Sequence, residues 1–208
     1  MATGFTKNDA RLGFDEATHS YTLGGLRFTS VTQALGLVGI ADFSAPWFDE
    51  VVKAKGSALH EAIRLDVNGQ LDEASIDAET QGGVEGWRRF VADTRAVIEF
   101  AEQALCDPDH HVAGRLDYIV TMTQANGRTV RMLIDVKRAL YPSAAVQTAA
   151  YADMAYALYD QPVLLQRGAL VLPGDGSYTL YPFTDPLDRT LWQAAVHILN
   201  FRRRHGIH

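Results

Sequence analysis

The sequence predicts a single α/β domain spanning residues 1–208, with a mixed central β-sheet flanked by helices. Three observations lead there. The apolar periodicities run in the order helices, a block of strands, a helix, two strands and a last helix. At 47% hydrophobic and 21% charged residues, 208 residues suffice for one full core. No internal repeat, low-complexity tract or block of like charges interrupts the pattern.

The elements follow in order. His19–Val31 reads as a hairpin, with Tyr21 and Leu23 alternating before Gly24-Gly25 and Leu26 and Phe28 after it. Residues 31–38 fit a short helix ended by Gly39. Ser44-Ala-Pro46 has the form of a helix start, and the apolar marks from Trp47 to Val67 carry that helix to Asn68-Gly69. Gly56 lies inside it at a cost of about 1 kcal/mol against Ala, so either the helix breaks there or something approaches its backbone. Residues 70–83, polar and small, suggest an exposed connector, followed by a helix over Val84–Asp93 that closes an N-terminal part, 14–93. Strands are expected over Ala96–Cys106, Val112–Thr123 and Thr129–Ala139, then an alanine-rich helix over Ala144–Tyr159. Strands Leu164–Leu172 and Tyr178–Phe183 complete a core of about 95–183, and a helix over Pro186–Arg204 ends the domain.

Charge and composition exclude several functions. Lys plus Arg is 19 against 25 for Asp plus Glu, a formal charge of −6, which argues against non-specific coating of nucleic acid but not against a local basic patch beside a metal site. A lone Cys106 excludes a four-cysteine zinc site and a cysteine-held iron–sulfur cluster. No stretch has the roughly 18–20 apolar residues that span a bilayer, and the first residues lack the apolar run of a secretory signal, so a cytoplasmic location away from membranes is expected.

The chemistry concentrates in Gly114-Arg-Leu-Asp117 and Ile134-Asp135-Val136-Lys137. Asp135 and Lys137 share one face of an otherwise apolar strand, and Asp117 is set among Leu116, Tyr118 and Ile119. A three-residue loop Ala125-Asn126-Gly127, with Gly127 left-handed, would set Asp117 opposite Asp135 with Cβ atoms about 5 Å apart. A strict two-residue Asn-Gly turn would put them on opposite faces. Facing carboxylates repel unless neutralised, and a divalent cation would do that.

Asp117 followed by Asp135-Val136-Lys137 resembles the PD-(D/E)xK nuclease signature, in particular the RecB-like and phage-exonuclease branch. Further motifs are similar in order along the chain: Phe14-Asp15-Glu16-Ala17-Thr18-His19-Ser20-Tyr21, Gly56-x-x-x-His60, Ala101-Glu102 and Gln147-x-x-x-Tyr151. The resemblance implies a restriction-endonuclease-like core and a metal-dependent DNA nuclease, most simply an exonuclease acting on linear DNA with a free end. The expected setting is phage or prophage recombination, replication or repair, with a single-strand annealing or recombination protein, or further copies of the chain, as partners. It implies one or two Mg2+ or Mn2+ ions on Glu102, Asp117 and Asp135, with the Val136 carbonyl and the His60 imidazole as further ligands. Lys137 is the implied catalytic cation, and Gln147 and Tyr151, one helical turn apart, would position it or a DNA phosphate.

Alternatives remain at several positions. Glu99 competes with Glu102, which is preferred because Phe100, Glu102 and Ala104 share a strand face and the spacing to Asp117 fits. His110-His111 has no third ligand at zinc spacing and reads as a loop feature. Trp87-Arg88-Arg89 and Arg202-Arg203-Arg204 are the basic clusters, each an ordinary solvated helix segment or a second-choice phosphate contact. The rival to an enzyme is a catalytically idle nuclease-fold protein that binds nucleic acid or a protein.

Overall fold

The computed structural model describes residues 6–15, 18, 20–41 and 50–207. The helix start at Ser44-Ala-Pro46 and the motif residue His19 lie outside the described residues. Eight strands and five α-helices are found among those described: β1 (Gly13–Asp15), β2 (Ser20–Leu23), β3 (Leu26–Ser30), α1 (Val31–Leu37), α2 (Glu50–Val67), α3 (Ala78–Thr94), β4 (Val97–Asp107), β5 (Val112–Thr123), β6 (Thr129–Lys137), α4 (Ser143–Ala155), β7 (Leu165–Val171), β8 (Thr179–Phe183) and α5 (Leu187–His205). The architecture is the expected one, a mixed sheet flanked by helices.

The sheet runs β1-β2-β3-β5-β6-β7-β8, with β4 also paired to β5. β3 joins β5 in parallel and β6 joins β7 in parallel, while the other pairings are antiparallel. One core joins Val31 and Leu35 of α1, Ala150 and Tyr151 of α4, and Trp192 and Leu199 of α5 to Leu116, Ile119 and Leu133 of the sheet. The opposite core sets Leu59 and Ile63 of α2 and Trp87 and Phe90 of α3 against Tyr118, Val120, Met132, Ile134 and Val136. β6 is covered on both faces, which is why it reads as a continuous apolar run broken by Asp135. A small third cluster, Tyr21, Leu23, Phe28, Cys106 and Ala113, seats the N-terminal hairpin.

Several boundaries differ from the sequence reading. β1 is an added strand, pairing Phe14 with Tyr21 beyond the expected hairpin. The connector over 70–83 is half helix: a 3-10 turn occupies Glu73–Ser75, and α3 starts at Ala78 with Asp77 capping the Thr80 N–H. Gly82 and Gly86 of α3 lie where the loop after β7 passes. A Cβ there would fall 1.9 Å from the Gly174 carbonyl oxygen and 2.4 Å from that of Ser177. Gly56 neither breaks α2 nor meets a close neighbour, since nothing lies within 4 Å of a Cβ placed there. The alanine-rich helix ends at Ala155 and tightens into a 3-10 turn over Tyr156–Leu158.

Candidate metal centre

The site forms where the sheet leaves an edge open. β4 occupies one edge of β5 from Val112 to Thr121. On the other edge β3 pairs at Val112 and Ala113, and β6 pairs only from Tyr118 onward. Gly114–Asp117 is therefore without a strand partner on that edge. The loop before β6 sets the register: Gly127 has φ of +79° and its N–H bonds the Gln124 carbonyl at 2.8 Å, closing the three-residue loop. The ladder Tyr118↔Ile134 through Thr123↔Thr129 then places Asp117 opposite Asp135, just past its last rung. Asp117 Oδ2 takes the place of a backbone acceptor and receives the Val136 N–H at 2.7 Å. Because N–H and C=O of one strand residue point to the same edge, the Val136 carbonyl faces this opening too.

Three side chains from three elements meet at Asp117. A nitrogen of His60 on α2, a carboxylate oxygen of Glu102 on β4 and a carboxylate oxygen of Asp117 all lie within 4.8 Å of one another. His60 Nδ1 is 3.7 Å from Asp117 Oδ2. Glu102 Oε2 pairs with Arg115 at 2.8 Å, while Oε1 is buried with no hydrogen bond. Glu102 stands opposite Asp117, between the pairs Ala101↔Tyr118 and Gln103↔Leu116, but β4 is not regular there. The register shifts between Ile98 and Phe100, and Glu102 itself has φ of +50°. The argument that Phe100, Glu102 and Ala104 share one face of a regular strand therefore fails, even though Glu102 reaches the cluster. A left-handed non-glycine residue costs about 1–3 kcal/mol and occurs where surrounding structure enforces it.

Asp135 stands beside this group rather than in it. Its carboxylate is almost wholly buried, and the Lys137 ammonium lies 3.0 Å from it, donating to Oδ1. Asp135 Oδ2 has no hydrogen bond. Burial pushes the Asp135 carboxyl up, to about 6, with the Asp117 charge adding to the effect and Lys137 opposing it. For Lys137, burial disfavours the charge, but the Asp135 and Asp117 carboxylates outweigh it and hold the ammonium above its ordinary value. Glu102 is also raised, by burial and then by Asp117, against the pull of Arg115. The site thus holds two carboxyls whose ionised forms are under-compensated; Glu102 Oε1 is buried without a hydrogen bond, and Asp135 Oδ2, also without one, has only the Lys137 ammonium at 3.0 Å.

The remaining expected residues separate. Glu99 is engaged elsewhere: it pairs with Arg131 at 2.7 Å and accepts from the Thr121 and Tyr159 hydroxyls. Tyr151 is 5% exposed and packs so tightly that a Cβ on Gly114 would lie 2.6 Å from its ring. Its hydroxyl bonds Gln147, and it feels the Asp117 and Asp135 charges from behind the strands. Arg88 is held by Asp66 and Glu73, and His110 by Asp107, which removes the first as a free phosphate contact and leaves the second a turn feature. Sequence reasoning missed Arg115, although its place two residues before Asp117 put it on the same side. It also missed the Tyr118 hydroxyl, buried without a partner and pushed above its ordinary pKa by burial and by Glu102 and Asp117.

This donor set suits a divalent cation. Carboxylate oxygens, one imidazole and a strand carbonyl suit a hard divalent cation better than a soft metal. No family model matches the chain, and no curated relative does. Among solved structures, the crystal structure of LHK-Exo in complex with dAMP is similar over 86% of this chain and 89% of its own, at 14% identity and a TM-score of 0.38. At that distance the likeness fixes no residue's role in this chain.

Proposed function

We propose that the chain is a divalent-metal-dependent DNA nuclease that hydrolyses phosphodiester bonds from an end of linear DNA. The observation that carries this reading is the convergence of His60, Glu102 and Asp117 within 4.8 Å, beside a lysine already in contact with the next carboxylate. A bound magnesium or manganese ion would supply a low-pKa water and charge stabilisation at the scissile phosphate. Glu102 and Asp117 would hold it through oxygens, His60 through its ring nitrogen and Val136 through its carbonyl. Asp135 would turn its unsatisfied Oδ2 toward the same ion. Lys137, hydrogen-bonded to Asp135, would orient water or offset charge growing on the phosphoryl group. Gln147 and Tyr151 serve from behind, bracing the strand that carries Asp117. Arg115, half exposed, provides a cation at the rim for the phosphate that follows.

The resemblance in ordered motifs, from the N-terminal hairpin to Gln147-x-x-x-Tyr151, supports DNA as substrate and the end as point of entry. The test is incubation of labelled linear duplex, supercoiled plasmid and single-stranded circles with Mg2+, with Mn2+ and with chelator. Loss of the linear form alone, and only with metal, is expected. Nicking of the closed circle at the same rate would remove the requirement for an end, and absence of cleavage under every condition would remove the nuclease.

A further inference from the structure

Two arginines of the largely exposed basic triplet at the end of α5 fold back onto the protein. Arg203 turns back onto the sheet, where its guanidinium donates to the His110 and His111 carbonyls at 2.6 and 2.9 Å and to the Thr29 hydroxyl at 2.6 Å. It also reaches the Asn200 side-chain oxygen at 3.3 Å. Every one of these acceptors is neutral. Arg202 likewise donates to the Leu37 carbonyl at 2.5 Å. Burial alone holds the Arg203 guanidinium below its ordinary pKa, with no carboxylate near enough to offset it. Arg203 has no ion-pair partner among the described residues, so an arriving anion would meet a cation whose charge is not offset.

A cleft of about 600 Å³ lies beside this arginine, lined by Arg27, Thr29, Gln33, Gly36, Leu37 and Arg203. No acidic residue lines it. Arg27 on β3 is exposed and has no ion-pair partner among the described residues. Gln33 uses its oxygen to accept the Ser30 N–H, which leaves its amide hydrogens as free donors. Thr29 accepts from Arg203 and so keeps its own hydroxyl hydrogen to give. The cleft therefore presents the free guanidinium of Arg27, an amide NH2 and a hydroxyl as donors, with the positive charge of Arg203 beside them while its terminal N–H groups stay on the protein. It is also separate from the metal centre. Thr29 pairs with Val112, and Asp117 lies five residues farther along β5, roughly 17 Å of strand.

We propose that this cleft is a binding site for a phosphate group, either in a nucleic-acid backbone or free in solution. A free guanidinium and neutral donors beside a second positive charge, without a competing carboxylate, are the chemistry that takes phosphate oxygens. The site stands on this geometry and does not depend on the nuclease reading.

Both sources are tested in chelator, where no cleavage occurs. One arm measures anisotropy of a fluorescein-labelled oligothymidine over a range of salt. The other compares melting in inorganic phosphate and in chloride at matched ionic strength. The variants are Arg27→Glu and Gln33→Glu. Arg27 is exposed and unpaired, and a glutamate at 33 still accepts the Ser30 N–H, so both should fold normally. For a backbone phosphate, each variant weakens the oligonucleotide at least five-fold, and Arg27→Glu lowers the salt slope by about one. For a free phosphate, wild type melts higher in phosphate than in chloride, and both variants lose that difference with oligonucleotide binding unchanged. If neither arm responds to either substitution, the cleft is not a phosphate site.

Discussion

Asp135 is the residue on which the electrostatics of the centre turns. It is buried and touches one cation, Lys137, with another carboxylate nearby. Removing that cation as Lys137→Ala leaves a buried carboxylate unpaired, a change that typically costs about 3–5 kcal/mol. The loss should be larger at pH 8 than at pH 5, because at pH 5 the carboxyl escapes by taking a proton. Urea midpoints at the two pH values check this, and equal losses would show that the pair is not held by charge. The raised carboxyls also set the pH dependence of metal binding. A folded-state pKa above the unfolded value means that the proton stabilises the metal-free fold below about pH 4, and that this contribution is lost as pH rises through about 6. Metal must displace the same proton, so its dissociation constant should tighten from pH 5 to pH 7, as calorimetry would show. A constant affinity over that range would mean that Glu102 and Asp135 are already ionised.

At the scale of elements, glycines on α2 and α3 separate open space from forced contact. Gly56 lies one turn before His60 on the same helix face, with nothing within 4 Å of its missing Cβ. Gly56→Ala should raise stability by about 1 kcal/mol through helix propensity alone. If it also slows cleavage, the space over His60 is where substrate passes. Gly86→Ala should destabilise by about 1–3 kcal/mol, because its Cβ meets the Ser177 carbonyl oxygen and backbone cannot yield as a side chain can. Thermal melts of the two variants moving in opposite directions would confirm the contrast. The same positions show what was readable beforehand. The β5–β6 register was legible down to two alternatives, a three-residue loop or a two-residue turn, and the observed three-residue loop sets Asp117 opposite Asp135 by counting. The start of α3 was not, since Gly82 and Gly86 answer to a loop nearly a hundred residues later. The left-handed φ of Glu102 was likewise hidden, as no glycine or turn residue marks it in the sequence.

Over the whole molecule, the three-layer arrangement places α2 and α3 on one side of the sheet and α1, α4 and α5 on the other, and the candidate metal centre lies where β5 lacks a strand partner. No helix among the described residues is long and apolar enough to cross a membrane. On the proposed function, a net charge of −6 would leave DNA binding to local cations, so affinity for long duplex should fall steeply with salt and depend on Arg115 near the candidate centre. The most direct test is a calorimetric titration of Mn2+ into wild-type protein and into Asp117→Asn, with the melting temperature of each recorded without metal. The site at His60, Glu102 and Asp117 predicts saturable binding by the wild type and a loss of at least ten-fold in affinity for the variant, at a similar metal-free melting temperature. Equal Mn2+ affinity in the two proteins would contradict it.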